Sequence, residues 1–241
     1  MKLTKEEIQF IDNYLVKNEV KFWDVRLELL DHIVSAIEDK IGNEGVSFNE
    51  ALLEVHKGFG NQFIEYGISK KDIFKKGLYQ SNFGFKKFTR KKQKELGRKY
   101  RKQNWKNVKN LFINPKFLLE YLVFIGLFLT LYKFLPKYIF LSGLMVLMIP
   151  TFISIYYSIR DKSTWKSLSF AMVLSSGMLW WTLYNLGFYI MKYYYGSLEE
   201  MPQMILVIIP CIFYPFLRGS IKVYKQVYIN NKFNYNLKIQ N

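Results

Sequence analysis

The second half of the sequence carries long apolar runs, and these restrict the fold more than any other feature. A helix needs about 20 mostly apolar residues to cross the hydrocarbon of a bilayer. Spans are predicted at about 116–135, 138–159, 168–191 and 201–217. The last is shorter and contains Pro202, Pro210 and Pro215, which predicts a kinked helix whose freed carbonyls are satisfied by neighbours.

Charge is segregated along the chain, and the segregation sets a topology. Residues 1–60 carry 7 basic and 12 acidic side chains, net −5. Residues 61–116 carry 17 and 3, net +14, and residues 117–241 carry 11 and 4, net +7. The basic residues gather before Lys116, between Arg160 and Lys166, and in the tail from Arg218 to Lys238. By the positive-inside rule these segments face the cytoplasm. The Pro136-Lys137 turn and the loop from Tyr193-Tyr194-Tyr195 to Glu199-Glu200 then face outward. Tyr138, Trp165, Trp105 and the Tyr triplet fall near the predicted interfaces. The expected location is a bacterial inner membrane, with both termini cytoplasmic. The polar start MKLTKEEIQF does not read as a signal peptide.

No ionisable residue is predicted at the centre of a span, which disfavours ion-coupled transport. Glu120 and Lys133 lie near the ends of the first span, within reach of the interface. Asn185, beside Thr182 and Tyr184, is the most polar interior position and reads as an interhelical hydrogen bond. Ser175-Ser176-Gly177 reads as a close-packing face.

The acidic head, residues 1–80, reads as a small cytosolic helical domain. Thr4 and Glu7 form a capping-box pattern opening a helix from about Lys5 to Val16. A second helix is predicted from Asp24, as N-cap, to about Ile41, stopped by Gly42. Leu27, Leu30, Ile33, Val34, Ile37 and Ile41 form its apolar stripe. Asp24, Glu28 and His32 fall at i, i+4 and i+8, a spacing that raises the question of a metal or acid–base site. With Asp31, Ser35 and Asp39 they lie opposite the stripe, where an amphipathic helix is polar anyway. Bundle metal sites instead point ligands from several helices into the core. Asp24, Glu28, Asp31, His32 and Asp39 are therefore read as a partner-binding face, with no metal. Ser47 and Glu50 form a second capping box, opening a helix with Leu52, Val55 and Phe59 inward and His56 beside them. A further short helix is expected within 64–83.

The stretch ELLDHIVSAIEDKIGNEGVSFNEALLEVHKGFGNQ resembles the HAAS-type signalling domain, through Gly45, Ser47, Glu50, Ala51, Gly60 and Asn61. The resemblance covers about residues 5–65, and Gln62 stands where that family usually has Pro. It implies a cytosolic helical domain fused N-terminal to bacterial membrane segments. It also implies regulation through protein contacts, with no catalytic residues to carry over.

Between head and spans, residues 81–115 form a basic juxtamembrane segment. Residues 86–109 hold 12 basic residues and one acid, Glu95. Lys86, Lys87, Arg90, Lys91, Lys92, Arg98, Lys99, Arg101 and Lys102 are read as contacts to anionic lipid headgroups, at about 1 kcal/mol each near the surface. A protein partner, including the acidic head itself, is the next reading. Nucleic acid is disfavoured, because no recognised nucleic-acid motif surrounds the run.

Catalytic signatures are missing: there is no phosphate loop, nucleophile elbow, metalloprotease motif or kinase set. One cysteine, Cys211, excludes an internal disulfide. The expected fold is all-α: a small N-terminal helical domain followed by a four-helix transmembrane bundle spanning 116–241 with its tail. The expected function is a sensor or adaptor rather than an enzyme, with no cofactor and with a protein partner besides the lipid. A transporter or channel subunit is the alternative. An intramembrane enzyme using Asn185 or Tyr193–Tyr195 is the second.

Overall fold

The structure is a computed structural model and describes residues 2–61, 82–135, 138–161, 163–196 and 203–240. Among these the chain is all-helical, with eight helices and no strand. It divides into two compact units: Met1–Glu95 with Lys166–Leu168, and Leu96–Trp165 with Ser169–Asn241. The expected helix within 64–83, the Pro136-Lys137 turn, Lys162, Glu199-Glu200 and Pro202 lie outside the described residues, apart from Asn82 and Phe83.

In the first unit, α1 (Lys5–Lys17) opens with the expected capping box. The Glu7 amide donates to Thr4 Oγ1 at 3.2 Å, and the Thr4 amide donates to Glu7 Oε2 at 2.8 Å. α3 (Phe48–Gly58) opens the same way, through Ser47 and Glu50. Each box satisfies two amides that a helix start leaves orphaned.

α2 (Trp23–Glu44) departs from the sequence reading at both ends. Its N-cap is Phe22, not Asp24, and it runs through Gly42 to stop at Gly45, whose φ of 65° is left-handed. Gly45 takes that conformation without a Cβ penalty, and its amide caps the Ile41 carbonyl. The buried stripe is also rotated. Val25, Leu29, Ile33 and Ile37 are buried, whereas Leu27, Leu30, Val34 and Ile41 are only half-buried. α1 and α3 both contact α2, and Ile11 and Leu15 of α1 and Leu52 of α3 are themselves at most 1% exposed. Burying one such side chain stabilises by about 1.5–3 kcal/mol.

α4 (Phe83–Phe112) is one 30-residue helix across the basic segment, for which the sequence reading assigned no helix. Its residues up to Glu95 belong to the first unit. There Gly84 packs so close to the Phe59 carbonyl that a Cβ would overlap it, and its amide donates to Asn61 Oδ1 at 2.9 Å. Asn61, a position of the signalling-domain resemblance, thus holds the start of α4 against the end of α3.

In the second unit, α5 (Pro115–Phe134), α6 (Ile139–Arg160) and the Val207–Leu237 part of α8 are each long and apolar enough to cross a membrane. α7 (Leu168–Tyr195) covers the predicted third span. α8 (Gln203–Gln240) is continuous through Pro210 and Pro215 and extends 23 residues beyond the predicted end of the fourth span at 217. Exposed positions of α5 are strongly apolar, among them Leu119 at 67% and Leu122 at 65%. Such a surface suits hydrocarbon, not water.

Contacts fix the helix directions in this unit. Ile139 of α6 clusters with Val207 of α8, Leu147 with Leu217, and Tyr157 stacks on Tyr228 at 4.4 Å, so these two helices are parallel. Phe140 stacks on Phe188 of α7, while Phe170 and Val173 cluster with Tyr224, so α7 runs against both. α5 also runs against α8, with Tyr121 donating to the Cys211 carbonyl at 2.9 Å and Phe128 packed on Val207. The later half of α4 lies along α8, with Asn104 Nδ2 donating to Ser220 Oγ at 3.0 Å and Trp105 edge-on to Phe216.

On the predicted Ser175-Ser176-Gly177 face, Ser176 is half-buried. Ser175 is exposed, and both serine hydroxyls bond carbonyls of their own helix. The side-chain surroundings of Gly177 are outside the description. A tight approach occurs at Gly143, where a Cβ would come within 2.5 Å of the Tyr184 hydroxyl and 2.9 Å of Pro210, and another at Gly219, 2.5 Å from Asn104 Oδ1.

Candidate interaction surface

The five residues of the predicted acidic face separate by what they touch. Asp31, His32 and Asp39 are exposed. Asp24 and Glu28 are half-buried, and both are already engaged. The Asp24 carboxylate accepts from the Leu168 amide at 2.9 Å and from Ser167 Oγ at 3.1 Å, while the Trp23 amide donates to the Lys166 carbonyl at 3.0 Å. Asp24 therefore caps the first amide of α7, while its Oδ1 also accepts from the Val25 amide of its own helix at 3.1 Å. Glu28 pairs with Lys92 of α4, which in turn lies 3.5 Å from Glu95. His32 sits edge-on to Phe88, ring centres 6.1 Å apart. Among the described residues no three His, Cys, Asp or Glu side chains are grouped as metal ligands.

The basic face also splits. Lys92 is half-buried and held by Glu28, whose hydrogen bond raises the ammonium pKa. Lys86 lies 3.4 Å from Glu19. Hydrogen bonding from Asn82, and then from Lys86, keeps the Glu19 carboxyl below the usual carboxylate range. Lys87, Arg90, Lys91, Arg98, Lys99, Arg101 and Lys102 are exposed, as headgroup contacts require.

Behind these surfaces lies a buried polar pair that the sequence reading left as local packing. His56 is 1% exposed, and its Nδ1 shares a short hydrogen bond with the Tyr14 hydroxyl. Phe85 packs edge-on against both rings. Burial lowers the His56 pKa to about 4, so the imidazole is neutral at physiological pH.

In the second unit Asn185 makes no bridge of the predicted kind. Its amide donates to the Trp181 carbonyl at 2.9 Å, one turn back in α7, and the interhelical bond comes from the neighbouring Tyr184 hydroxyl to the Phe140 carbonyl. Glu120 binds Arg218, with Nε at 3.1 Å, and accepts from the Tyr214 hydroxyl. Reading Glu120 alone gave no sign of these partners, which come from α8.

No protein family matches this sequence, and no curated protein or solved structure matches it either.

Proposed function

We propose that this chain is a multi-pass bacterial inner-membrane sensor or adaptor, not an enzyme. Its N-terminal helices form a HAAS-like cytosolic head, and α5–α8 form a four-helix transmembrane bundle. The observation that carries this reading is the Asp24 clasp on Ser167 and Leu168. It makes Lys166–Leu168, at the end of the loop before α7, part of the head's own unit, so head and loop end share one side of the membrane. Two crossings by α5 and α6 return the chain to that side, and the positive-inside rule makes it cytoplasmic. A head that caps the first turn of a membrane helix is suited to passing a protein contact to that helix. The exposed acids Asp31 and Asp39, beside His32, are the surface offered to a protein partner. The exposed cations of α4 meet anionic headgroups.

The test is crosslinking and co-purification of the full chain from native membranes, beside a variant with Asp31→Lys and Asp39→Lys. Loss of a specific partner in the variant supports the adaptor reading. An unchanged set of partners sinks the assignment of this face.

A further inference from the structure

A cleft of about 220 Å³ opens in the first unit between the α1–α2 turn and the start of α4. Three cations line it, Lys21, Lys86 and Arg90, against one carboxylate, Glu19. Glu19 is committed to Asn82 and Lys86. Among the described residues Arg90 has no ion pair, and Lys21 acts on Glu19 without a contact within 4 Å. Glu19 takes its left-handed φ of 65° as the residue that closes α1, its amide donating to the Val16 carbonyl and the Val20 amide to the Leu15 carbonyl, both at 3.1 Å.

Asn18 adds a second kind of demand. It lines the same cleft and is 2% exposed, and its amide nitrogen donates to the Tyr14 carbonyl at 3.0 Å. Its Oδ1 has no hydrogen-bond partner, an expensive state for a buried acceptor. Cations call for anionic oxygens, and Arg90 presents a planar fork suited to phosphate. An unmet acceptor calls for an O–H or N–H donor. Gln93, also lining the cleft, offers both a donor and an acceptor.

We infer that this cleft binds a hydroxyl-bearing phosphate ester, with the phosphate on Lys21, Lys86 and Arg90 and a hydroxyl donating to Asn18. Both a phospholipid with a polyol headgroup and a free polyol phosphate carry this chemistry. The site goes beyond the adaptor reading and does not depend on it, since every residue in it belongs to the first unit.

The experiment is equilibrium dialysis of radiolabelled glycerol 3-phosphate against the full chain in phosphatidylcholine nanodiscs. Saturable binding is expected, tighter than for inorganic phosphate. Arg90→Gln weakens it by about tenfold or more, the loss expected for one charge-assisted contact. Lys21→Gln, in the turn, gives an independent loss should the Arg90 variant fold poorly. Lys5→Gln removes an exposed charge of the first unit outside the cleft and leaves binding intact. Repeating the measurement in discs containing phosphatidylglycerol identifies the source. Competition there assigns the cleft to a lipid headgroup, and unchanged binding assigns it to a free ester. Absence of saturable binding overturns the proposal, and so does an equal loss in the Lys5 variant.

Discussion

The Asp24 carboxylate caps the Leu168 amide at 2.9 Å across 144 residues of sequence. An N-cap side chain normally comes from the residue just before its helix. Here α7 starts with its cap borrowed from α2. Asp24→Ala is expected to destabilise by about 1 kcal/mol, the usual cost of losing a cap, and Asp24→Asn by less, because one acceptor remains. Amide exchange at Ser167–Ser169 reads the effect directly. It should rise in the alanine variant and stay near wild type in the asparagine variant.

His56 gives the first unit an acid limit. Its folded pKa, about 4, lies below the ordinary histidine value, so the unfolded chain takes up a proton that the folded chain refuses. The associated stability is present in full above about pH 6.5 and is lost as pH falls from there towards 4, up to roughly 3 kcal/mol. Denaturant unfolding of the wild type at pH 7 and pH 5 should show this fall. His56→Leu should flatten it, whatever its own stability at pH 7.

At Gly143 the neighbours leave no room for a methyl group. Gly143→Ala drives a Cβ against the Tyr184 hydroxyl and Pro210 and is expected to cost about 1–3 kcal/mol, as overpacking does. Around Gly187 a Cβ would meet nothing within 4 Å, so Gly187→Ala is neutral or stabilising by up to about 1 kcal/mol. Thermal midpoints of the two variants in one detergent make the comparison.

The proposed topology predicts opposite labelling at two exposed positions. With Cys211→Ser as background, Tyr193→Cys should react with a membrane-impermeant maleimide in intact cells. Lys232→Cys should react only after permeabilisation. Reaction of both from outside would reverse or break the assignment made from the basic segments.

Local signals were legible in the sequence and long-range ones were not. The boxes at Thr4/Glu7 and Ser47/Glu50 need only a three-residue spacing and stand as read. α5 and α6 begin and end within a residue or so of their apolar runs. Asp24 looked like a cap and is one, but for a helix that begins 144 residues later. The α2 stripe shifted towards Val25 and Leu29 because α1, α3 and α4 all pack on the helix, so one averaged face does not describe it. The end of α8 was missed because the charge at Arg218 masks a continuing stripe of Val223, Tyr224 and Val227 at helical spacing. The partners of Glu120 and Glu28 depend on which helices become neighbours, and no spacing within one segment encodes that.

The distance between Asp24 and Leu168 along the chain also orders events during synthesis. Residue 24 leaves the ribosome long before residue 168 exists, and N-terminal domains fold as the chain emerges. In the proposed topology the capping bond closes only once α5 and α6 have been made and the following loop has reached the side where the head stands. In that topology a chain in which α5 crosses and α6 fails to return presents no Leu168 amide there. The Asp24 carboxylate of its head lacks the Ser167 and Leu168 donors, a mark by which incomplete assembly differs from the finished protein.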